Sequence, residues 1–273
     1  MRTWKYGVSF AEHTPLTAPL PLEGDLYENM KKARAYGYDA VEFHTRETYV
    51  FDYDRICSMR AGGEGDVRIL VTGRLCTEGG YSLLDAEESS VCYAIEHLKM
   101  YVDKASVLGA DIVLGWIKGK VPAGADRDAT MAVLAQRLRQ INDYGKEKGV
   151  KILLEVINRY ETNIFNTAKE TLDFFNQYRL DNCYVHLDTF HMNIEEADMC
   201  AAIRLCGHRL GYLHVADNTR TYPGSGALDF KAILKALEDI HYTGFVTVEC
   251  LPQPDRETAA KKAIEHLVAC EPN

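Results

Sequence analysis

The chain has 273 residues, 47% of them hydrophobic, which is enough for one large core or two small ones. Its 26% charged and 10% aromatic residues exclude global disorder. A net charge of −9 and a pI near 5.5 argue against nucleic-acid binding, which requires clustered Lys and Arg, and no apolar run reaches the roughly 20 residues that a membrane span needs.

The cysteines and the start of the chain predict a compartment. The eight cysteines are scattered and contain no Cys-x-x-Cys pair, which disfavours a zinc–cysteine site. The residues after Met1 contain no apolar segment of signal-peptide length. We therefore expect reduced thiols and a cytoplasmic protein.

Short runs rich in β-branched residues alternate along the chain with longer stretches of helical period. The predicted strands are Tyr6–Phe10, Ala40–His44, Ile69–Thr72, Ile112–Trp116, Ile152–Val156, Tyr184–Asp188, Gly211–Val215 and Phe245–Cys250. The predicted helices are Asp25–Tyr36, Glu87–Leu108, Asp128–Lys148, Ala168–Tyr178, Ala197–Cys206, Phe230–His241 and Arg256–Cys270. Glycines at 37, 109, 149 and 244 are expected to end helices in the left-handed conformation.

This alternation predicts one α/β domain over residues 1–273, a (β/α)8 TIM barrel. The only segment dense in Pro, Thr14–Pro21, reads as an early loop. A doubly wound open sheet has the same alternation, but no Gly-x-Gly-x-x-Gly follows the first strand and there is no Walker loop. A barrel places its chemistry at the C-terminal ends of the strands.

The last four predicted strands end in acidic or histidine residues. Glu155, Asp188, His214 and Glu249 stand at or near the ends of strands five to eight. Buried carboxylates on adjacent strands repel each other and are costly unless they are paired or metal-bound. The sequence therefore predicts a divalent cation at this set, and its oxygen-rich composition suits Mn²⁺, Mg²⁺ or Co²⁺.

Two following loops add polar residues. His191 lies three residues past Asp188, so it can reach over the metal, although a helix-capping or surface histidine is the plain alternative. Asp217 and Arg220 follow the seventh strand, where a solvated turn is the alternative. Lys118 and Lys120 follow the fourth strand and would either add positive charge at the rim or serve surface solubility.

The runs Glu155–Thr167 (EVINRYETNIFNT) and Leu187–Glu196 (LDTFHMNIEE) resemble the ketose 3-epimerases, the D-tagatose and D-psicose 3-epimerase group of the xylose-isomerase-like superfamily. The resemblance is specific over about 155–226 and 245–254 and only topological before residue 110. It implies that Glu155, Asp188, His214 and Glu249 bind the metal, Mn²⁺ foremost, and that Glu155 and Glu249 are the acid/base pair. It also implies that His191, Arg220 and Glu161 bind substrate.

One departure concerns the substrate. The family usually reads His-x-x-Glu, then Asn-Arg-Arg and Pro-Gly-Lys-Gly, after the seventh strand. Here the chain reads His-Val-Ala-Asp over 214–217 and Pro-Gly-Ser-Gly over 223–226, closer to the 5-keto-L-gluconate epimerase branch. The substrate class thus stays open between a neutral, unphosphorylated keto-sugar and a keto-sugar acid.

The expected reaction inverts the carbon next to a carbonyl through a cis-enediolate, with a Glu on each face. The alternatives are a ketose–aldose or hydroxypyruvate isomerase, an inosose-type dehydratase, and a catalytically inactive metal-binding sugar sensor. The expected partner is a small sugar or sugar acid. A homo-oligomer, dimer or tetramer, is possible because four aromatic residues sit at outer helix positions, although core packing explains them as well. They are Tyr93, Tyr101, Phe174 and Phe175.

Overall fold

The computed structural model describes residues 2–49 and 51–272, and its central feature is a closed parallel barrel. We number the barrel strands β1–β8. They are Lys5–Ala11, Ala40–His44, Val67–Val71, Asp111–Leu114, Ile152–Glu155, Cys183–Asp188, Leu210–Val215 and Phe245–Val248. Each strand pairs in parallel with the next, and β8 pairs with β1 to close the ring. A two-residue strand, Leu22–Glu23, pairs in parallel with the C-terminal end of β1, at Phe10 and Ala11. The predicted (β/α)8 barrel is confirmed.

Helices cover the outside of the barrel. In the described residues, α1–α10 are Leu26–Tyr36, Tyr53–Ala61, Gly73–Thr77, Glu88–Leu108, Arg127–Lys148, Ala168–Gln177, Thr189–Glu195, Met199–Cys206, Phe230–Asp239 and Arg256–Ala269. Most begin at an aspartate or threonine whose side chain accepts a backbone N–H of the first turn, as Asp126 and Thr167 do. Over residues 2–49 and 51–272, no helix combines the length and apolarity needed to cross a bilayer.

The core has two layers. Apolar side chains on the outer faces of the strands pack against the helices, and a smaller cluster of Ile69, Val71, Val113, Leu153 and Tyr212 fills part of the barrel interior. Tyr101, Phe174 and Phe175, three of the aromatic residues considered for a subunit interface, are buried in the outer layer. Core packing therefore accounts for them.

The structure corrects several predicted boundaries. β4 ends at Leu114 and β8 at Val248, two residues earlier than predicted. The sequence prediction missed α2, α3 and α7. The first of these buries only Ile56 and Met59 and is otherwise largely polar, so its apolar periodicity is weak.

Three of the four predicted glycine helix ends are confirmed, with Gly37, Gly109 and Gly149 at positive φ. The fourth is wrong. His241, not Gly244, adopts the left-handed conformation after α9, with a φ of 53°. At Gly244 the requirement is space instead, because an added Cβ would lie 2.4 Å from the Tyr242 hydroxyl oxygen.

Candidate active site

A cavity of about 620 Å³ opens at the C-terminal ends of the barrel strands. Six of the seven residues predicted to bind metal or substrate line it, namely Glu155, Glu161, His191, His214, Arg220 and Glu249. The seventh, Asp188, is fully buried at the end of β6. The early loop and α3 form the outer wall, together with the half-exposed Trp116.

Strand register brings the four predicted ligands together. Asp188 pairs with His214 across β6 and β7, and His214 pairs with Thr247, two residues before Glu249. Glu155 does not lie level with Asp188, because its partner across β5 and β6 is His186. The four side chains therefore converge from three levels of the barrel, with Glu155 lowest, Asp188 and His214 level with each other, and Glu249 highest.

These side chains fit a divalent cation. Asp188, His214 and Glu249 each place a possible ligand atom within 4.8 Å of the other two, and Glu155, Asp188 and His191 form an overlapping group. Asp188 Oδ2 and His214 Nδ1 are buried and accept or donate no hydrogen bond within the described part of the chain. Buried polar atoms are normally paired, so two such atoms facing the same carboxylate cluster are what a cation site requires.

The charges of this cluster conflict when no cation is present. Burial, and then the charge of Glu249, raise the pKa of Glu155 to about 8. Burial also raises the pKa of Asp188 to about 6, against the opposing charge of Arg220. For His214, burial alone would lower the pKa, but Glu42 and Glu249 outweigh it and raise the pKa to about 10. Part of the cluster therefore holds protons that a cation would replace.

Asp188 has two functions because it joins a strand to a helix. Its Oδ1 accepts the Phe190 backbone N–H at 2.8 Å and so caps α7, which leaves Oδ2 turned towards the cluster. The short helix then places His191 with Nε2 at 3.7 Å from Asp188 Oδ2 and 3.8 Å from Glu155 Oε1.

The protonation of His191 follows from its other neighbour. The Asn158 side-chain amide donates to His191 Nδ1 at 2.7 Å. Burial, with the charge of Arg220, keeps the pKa of His191 well below its usual range. A neutral ring that accepts at Nδ1 carries its hydrogen on Nε2, so His191 presents an N–H donor to the cavity. The alternative of a surface histidine is wrong.

Arg220 is held by carboxylates. Its Nη2 lies 3.2 Å from Glu249 Oε2, its Nη1 lies 3.8 Å from Glu161 Oε1, and its guanidinium stacks 4.7 Å from the centre of the Phe190 ring. The backbone of Arg220 has a φ of 61°. Asp217 organises this loop, because its carboxylate accepts backbone N–H groups of Gly224, Gly226 and Leu228 at 2.9, 2.8 and 3.1 Å. Asp217 is fully buried, so neither a solvated turn nor a substrate contact describes it.

The fourth strand reaches the site through its following turn. Gly115 passes so close to Glu155 that an added Cβ would lie 2.5 Å from Glu155 Oε2. Lys118 is fully buried, and its ammonium donates to the Gly115 carbonyl at 3.1 Å. Burial lowers the pKa of Lys118 to about 8, opposed first by the charge of Glu155. The expectation that Lys118 is a rim or surface lysine is wrong, whereas Lys120 is exposed.

The sequence analysis missed a buried network at the second strand. Glu42 accepts hydrogen bonds from Tyr212 Oη at 2.6 Å and Ser9 Oγ at 2.7 Å, and it pairs with His214 Nε2 at 2.6 Å and His44 Nε2 at 2.7 Å. Although burial opposes ionisation, His214 and His44 hold the pKa of Glu42 well below its usual range. His44 also lines the cavity, with Nε2 at 3.8 Å from Glu249 Oε1.

A second missed residue, His186, is fully buried in the barrel interior. Its ring meets that of His214 edge-on at 4.2 Å, and neither ring nitrogen has a hydrogen-bond partner among the described residues. Glu155, His186 and His214 form a further group of possible ligands. Alternation along β6 was a usable signal, because His186 and Asp188 are two residues apart and so share a face. Likewise, the strand-end rule applied to Ala40–His44 would have found Glu42 and His44.

Comparison with known proteins places the chain in a family. Residues 30–270 match the model of the xylose isomerase-like TIM barrel. An L-ribulose 3-epimerase of Methylomonas sp. (strain DH-1) is 41% identical over 157 residues, which cover 56% of this chain and 54% of that relative. A D-psicose 3-epimerase of Enterocloster bolteae is 31% identical over 252 residues, covering 90% of this chain and 81% of the relative.

A solved structure agrees with these relatives. An L-ribulose 3-epimerase structure superposes with a TM-score of 0.82 at 26% identity, covering 98% of this chain and 95% of that one. The relatives are epimerases, which confirms the prediction of a carbohydrate epimerase, a kind of isomerase. The chain belongs to the xylose isomerase-like TIM barrel family.

Proposed function

We propose that the chain is a metal-dependent epimerase that inverts the carbon next to the carbonyl of a neutral, unphosphorylated keto-sugar. The observation that carries this proposal is the placement of Glu155 and Glu249. They enter one cavity from β5 and from just beyond β8, and the two strands between them bear Asp188 and His214. Inversion requires an acid or base on each face of one carbon, and this arrangement supplies two.

The cation would be held by Glu155, Asp188, His214 and Glu249. When bound, the metal polarises the substrate carbonyl and stabilises negative charge on its oxygen. Three carboxylates and one imidazole form a hard donor set, so we propose Mn²⁺, with Co²⁺ and Mg²⁺ as alternatives. The two unpartnered atoms, Asp188 Oδ2 and His214 Nδ1, support this assignment.

The two glutamates would move the proton. A carboxylate oxygen of one glutamate removes the hydrogen from one face of the carbon, and the carboxyl group of the other returns a proton to the opposite face. For the other epimer the two roles exchange. Arg220 lies against Glu249, whereas Glu155 faces the buried Lys118, so each carboxylate has its own nearby cation.

The remaining residues would orient the sugar. His191 offers its Nε2–H to a substrate oxygen, and Glu161, held by the Asn158 amide at 3.0 Å, offers a carboxylate to sugar hydroxyls. Arg220 contacts both Glu161 and Glu249 and so would hold these two carboxylates in place beside the sugar.

The ion pairs made by the cavity's arginines support a neutral substrate. Of the described residues that line the cavity, Arg220 pairs with Glu161 and Glu249, and Arg74 lies 3.3 Å from Glu78. A substrate carboxylate would have to displace one of these partners and enter beside Glu155 and Glu249, which would repel it. The names of the relatives, which include L-ribulose and D-psicose 3-epimerases, also support a neutral ketose.

The cysteines support our proposal of a reducing, cytoplasmic setting. Each of the eight cysteines, all within the described residues, is free, and Cys183, Cys206, Cys250 and Cys270 are buried. The oligomeric state stays a prediction.

The test is a panel of free ketoses and keto-sugar acids incubated with Mn²⁺ in D₂O and followed by NMR. We expect a neutral 2-ketose to be converted to its 3-epimer with deuterium at the inverted carbon. An aldose product would favour the isomerase alternative. Turnover of keto-acids alone would contradict the neutral substrate.

Arg220→Ala separates the two substrate classes further. If Arg220 serves mainly Glu249 and Glu161, the variant should lose similar factors in kcat/KM for a ketose and for the matching keto-acid. A selective rise of KM for the acid, on the order of 30-fold or more, would mean that Arg220 binds a substrate carboxylate.

A further inference from the structure

The buried carboxylate of Glu42 collects donors from three strands. Ser9 lies on β1, His44 on β2, and Tyr212 and His214 on β7, and each places a donor atom between 2.6 and 2.7 Å from a Glu42 oxygen. Glu42 is 1% exposed and does not line the cavity. It therefore has no access to a sugar and acts only through its neighbours.

The two oxygens of Glu42 have different partners. Oε1 takes Ser9 Oγ and His44 Nε2, whereas Oε2 takes Tyr212 Oη and His214 Nε2. Surrounded by donors, the carboxylate can only accept, so His214 must carry a hydrogen on Nε2. The other nitrogen, Nδ1, faces Glu249 Oε2 at 3.6 Å and has no hydrogen-bond partner in the described part of the chain.

The geometry points to Glu42 as the positioning residue that holds His214 in the tautomer and ring orientation in which Nδ1 is available to a divalent cation. The inference rests on the proposed metal dependence but names a residue that the ligand set does not contain. A carboxylate behind a ligating imidazole fixes the ring and raises its basicity, and losing such a partner typically weakens metal binding by about 10- to 100-fold.

Ser9 provides a matched control. Ser9→Ala removes a donor from Oε1 and leaves the contact between Oε2 and His214 in place. It perturbs the same buried carboxylate without touching the imidazole. A purely structural role for Glu42 would make the two variants alike in Mn²⁺ binding.

The experiment titrates Mn²⁺ into metal-free wild type, Glu42→Gln and Ser9→Ala, with binding read by electron paramagnetic resonance of free Mn²⁺ and folding read by thermal melting. We expect Glu42→Gln to raise the Mn²⁺ Kd by about 10- to 100-fold. Ser9→Ala should change it by less than about threefold, because the contact between Glu42 and His214 stays in place. At saturating Mn²⁺, Glu42→Gln should recover much of its kcat with the sugar KM unchanged.

Two results would overturn the inference, and another would overturn the proposed function on which it rests. Equal Mn²⁺ affinity in wild type and Glu42→Gln overturns it while leaving the epimerase proposal intact. Failure of wild type to bind Mn²⁺, with full activity in metal-free protein, overturns the proposed function itself. Should Glu42→Gln not fold, Glu42→Asp takes its place, because it keeps the charge but shortens the side chain, and unchanged Mn²⁺ affinity in that variant also overturns the inference.

Discussion

The two halves of the barrel contribute to the site at different depths. Strands β5–β8 carry most of the residues that face the proposed cation site, with Glu155, His214 and Glu249 in the cavity wall. Strands β1–β4 contribute mainly from behind that wall, through the fully buried Glu42 and Lys118. The β5–β8 half thus holds the proposed metal ligands and the acid/base pair. The β1–β4 half, which also gives His44 and the outer wall to the cavity, holds buried groups that we propose to set the orientation and charge of those ligands.

This division separates two kinds of effect. Changes in the β5–β8 half should remove the reaction without unfolding the protein. Changes in the β1–β4 half should alter metal affinity or rate by smaller factors. A substitution that has the other half's kind of effect would contradict this division.

Removing the metal should have the largest effect, because it leaves the carboxylate cluster without its counter-charge. Dialysis against EDTA should lower kcat on the order of 10³-fold or more, and Mn²⁺ or Co²⁺ should restore it. The measurement is ketose turnover in protein shown by elemental analysis to be metal-free. Full activity in that protein would contradict the role given to β5–β8.

Glu155→Gln and Glu249→Gln should each lower epimerisation by about 10²- to 10⁴-fold, since each removes one of two proton-transfer groups. One variant should still exchange the substrate hydrogen with D₂O for one epimer and not for the other, because each epimer loses its proton on a different face. Deuterium incorporation by NMR and product formation are measured together. Near-normal turnover in either variant would show that this glutamate is not an acid or base.

The β5–β8 half was largely predictable from sequence, and the reason is local. A carboxylate or histidine at the end of an otherwise apolar strand stands out, as Glu155 does after Leu153 and Leu154. The same rule would have found Glu42, two residues before the end of β2, but it would not have indicated what this buried carboxylate does. Its function depends on Tyr212 and His214, 170 and 172 residues away, and no local pattern records that contact.

Lys118 and Lys120 sharpen the comparison, because they stand two residues apart in one turn and differ in burial. Lys118→Met removes a buried ammonium whose positive charge acts on Glu155. It should lower kcat about tenfold, equivalent to about 1.4 kcal/mol. It should not lower the melting temperature, because replacing a buried charge by an apolar side chain of similar size is often neutral or stabilising. Lys120→Met, at an exposed site, is the control.

Equal kinetics in the two lysine variants would remove Lys118 from the site. A large fall in stability with Lys118→Met would instead make it a structural residue of the turn. Activity at saturating Mn²⁺ and thermal melting of both variants distinguish these results.

Asp217→Asn should act mainly on stability, although Asp217 lies in the β5–β8 half. The amide NH2 of asparagine cannot accept, and it must replace one of the two carboxylate oxygens. Oδ2 accepts from Gly224 and Gly226, and Oδ1 accepts from Asn218 and Leu228, so two backbone donors lose their acceptor in either orientation. The expected cost is about 1–3 kcal/mol of unfolding free energy, measured by urea titration. A loss of activity with unchanged stability would mean that the loop acts on Arg220 directly.

The order of strands and helices was predictable from the sequence, whereas their exact ends and the shortest helices were not. Eight short apolar runs, each followed by a helical stretch, specify a barrel or an open sheet, and the missing phosphate-binding glycine motif decides between them. The missed α7 has seven residues and is too short for a helical period, yet it positions His191. The one sequence signal for this helix was its N-cap residue, Asp188, which the sequence also marked as a metal ligand.

The lack of a side chain at Gly115 is itself a requirement of this site. Because a Cβ there would lie 2.5 Å from Glu155 Oε2, every other amino acid at this position competes with the carboxylate for the same volume. The turn after β4 therefore restricts which residue can stand beside the proposed base, although Gly115 makes no bond to that carboxylate. In a directed-evolution library, substitutions at position 115 would therefore yield variants that fold but lack the room that Glu155 needs.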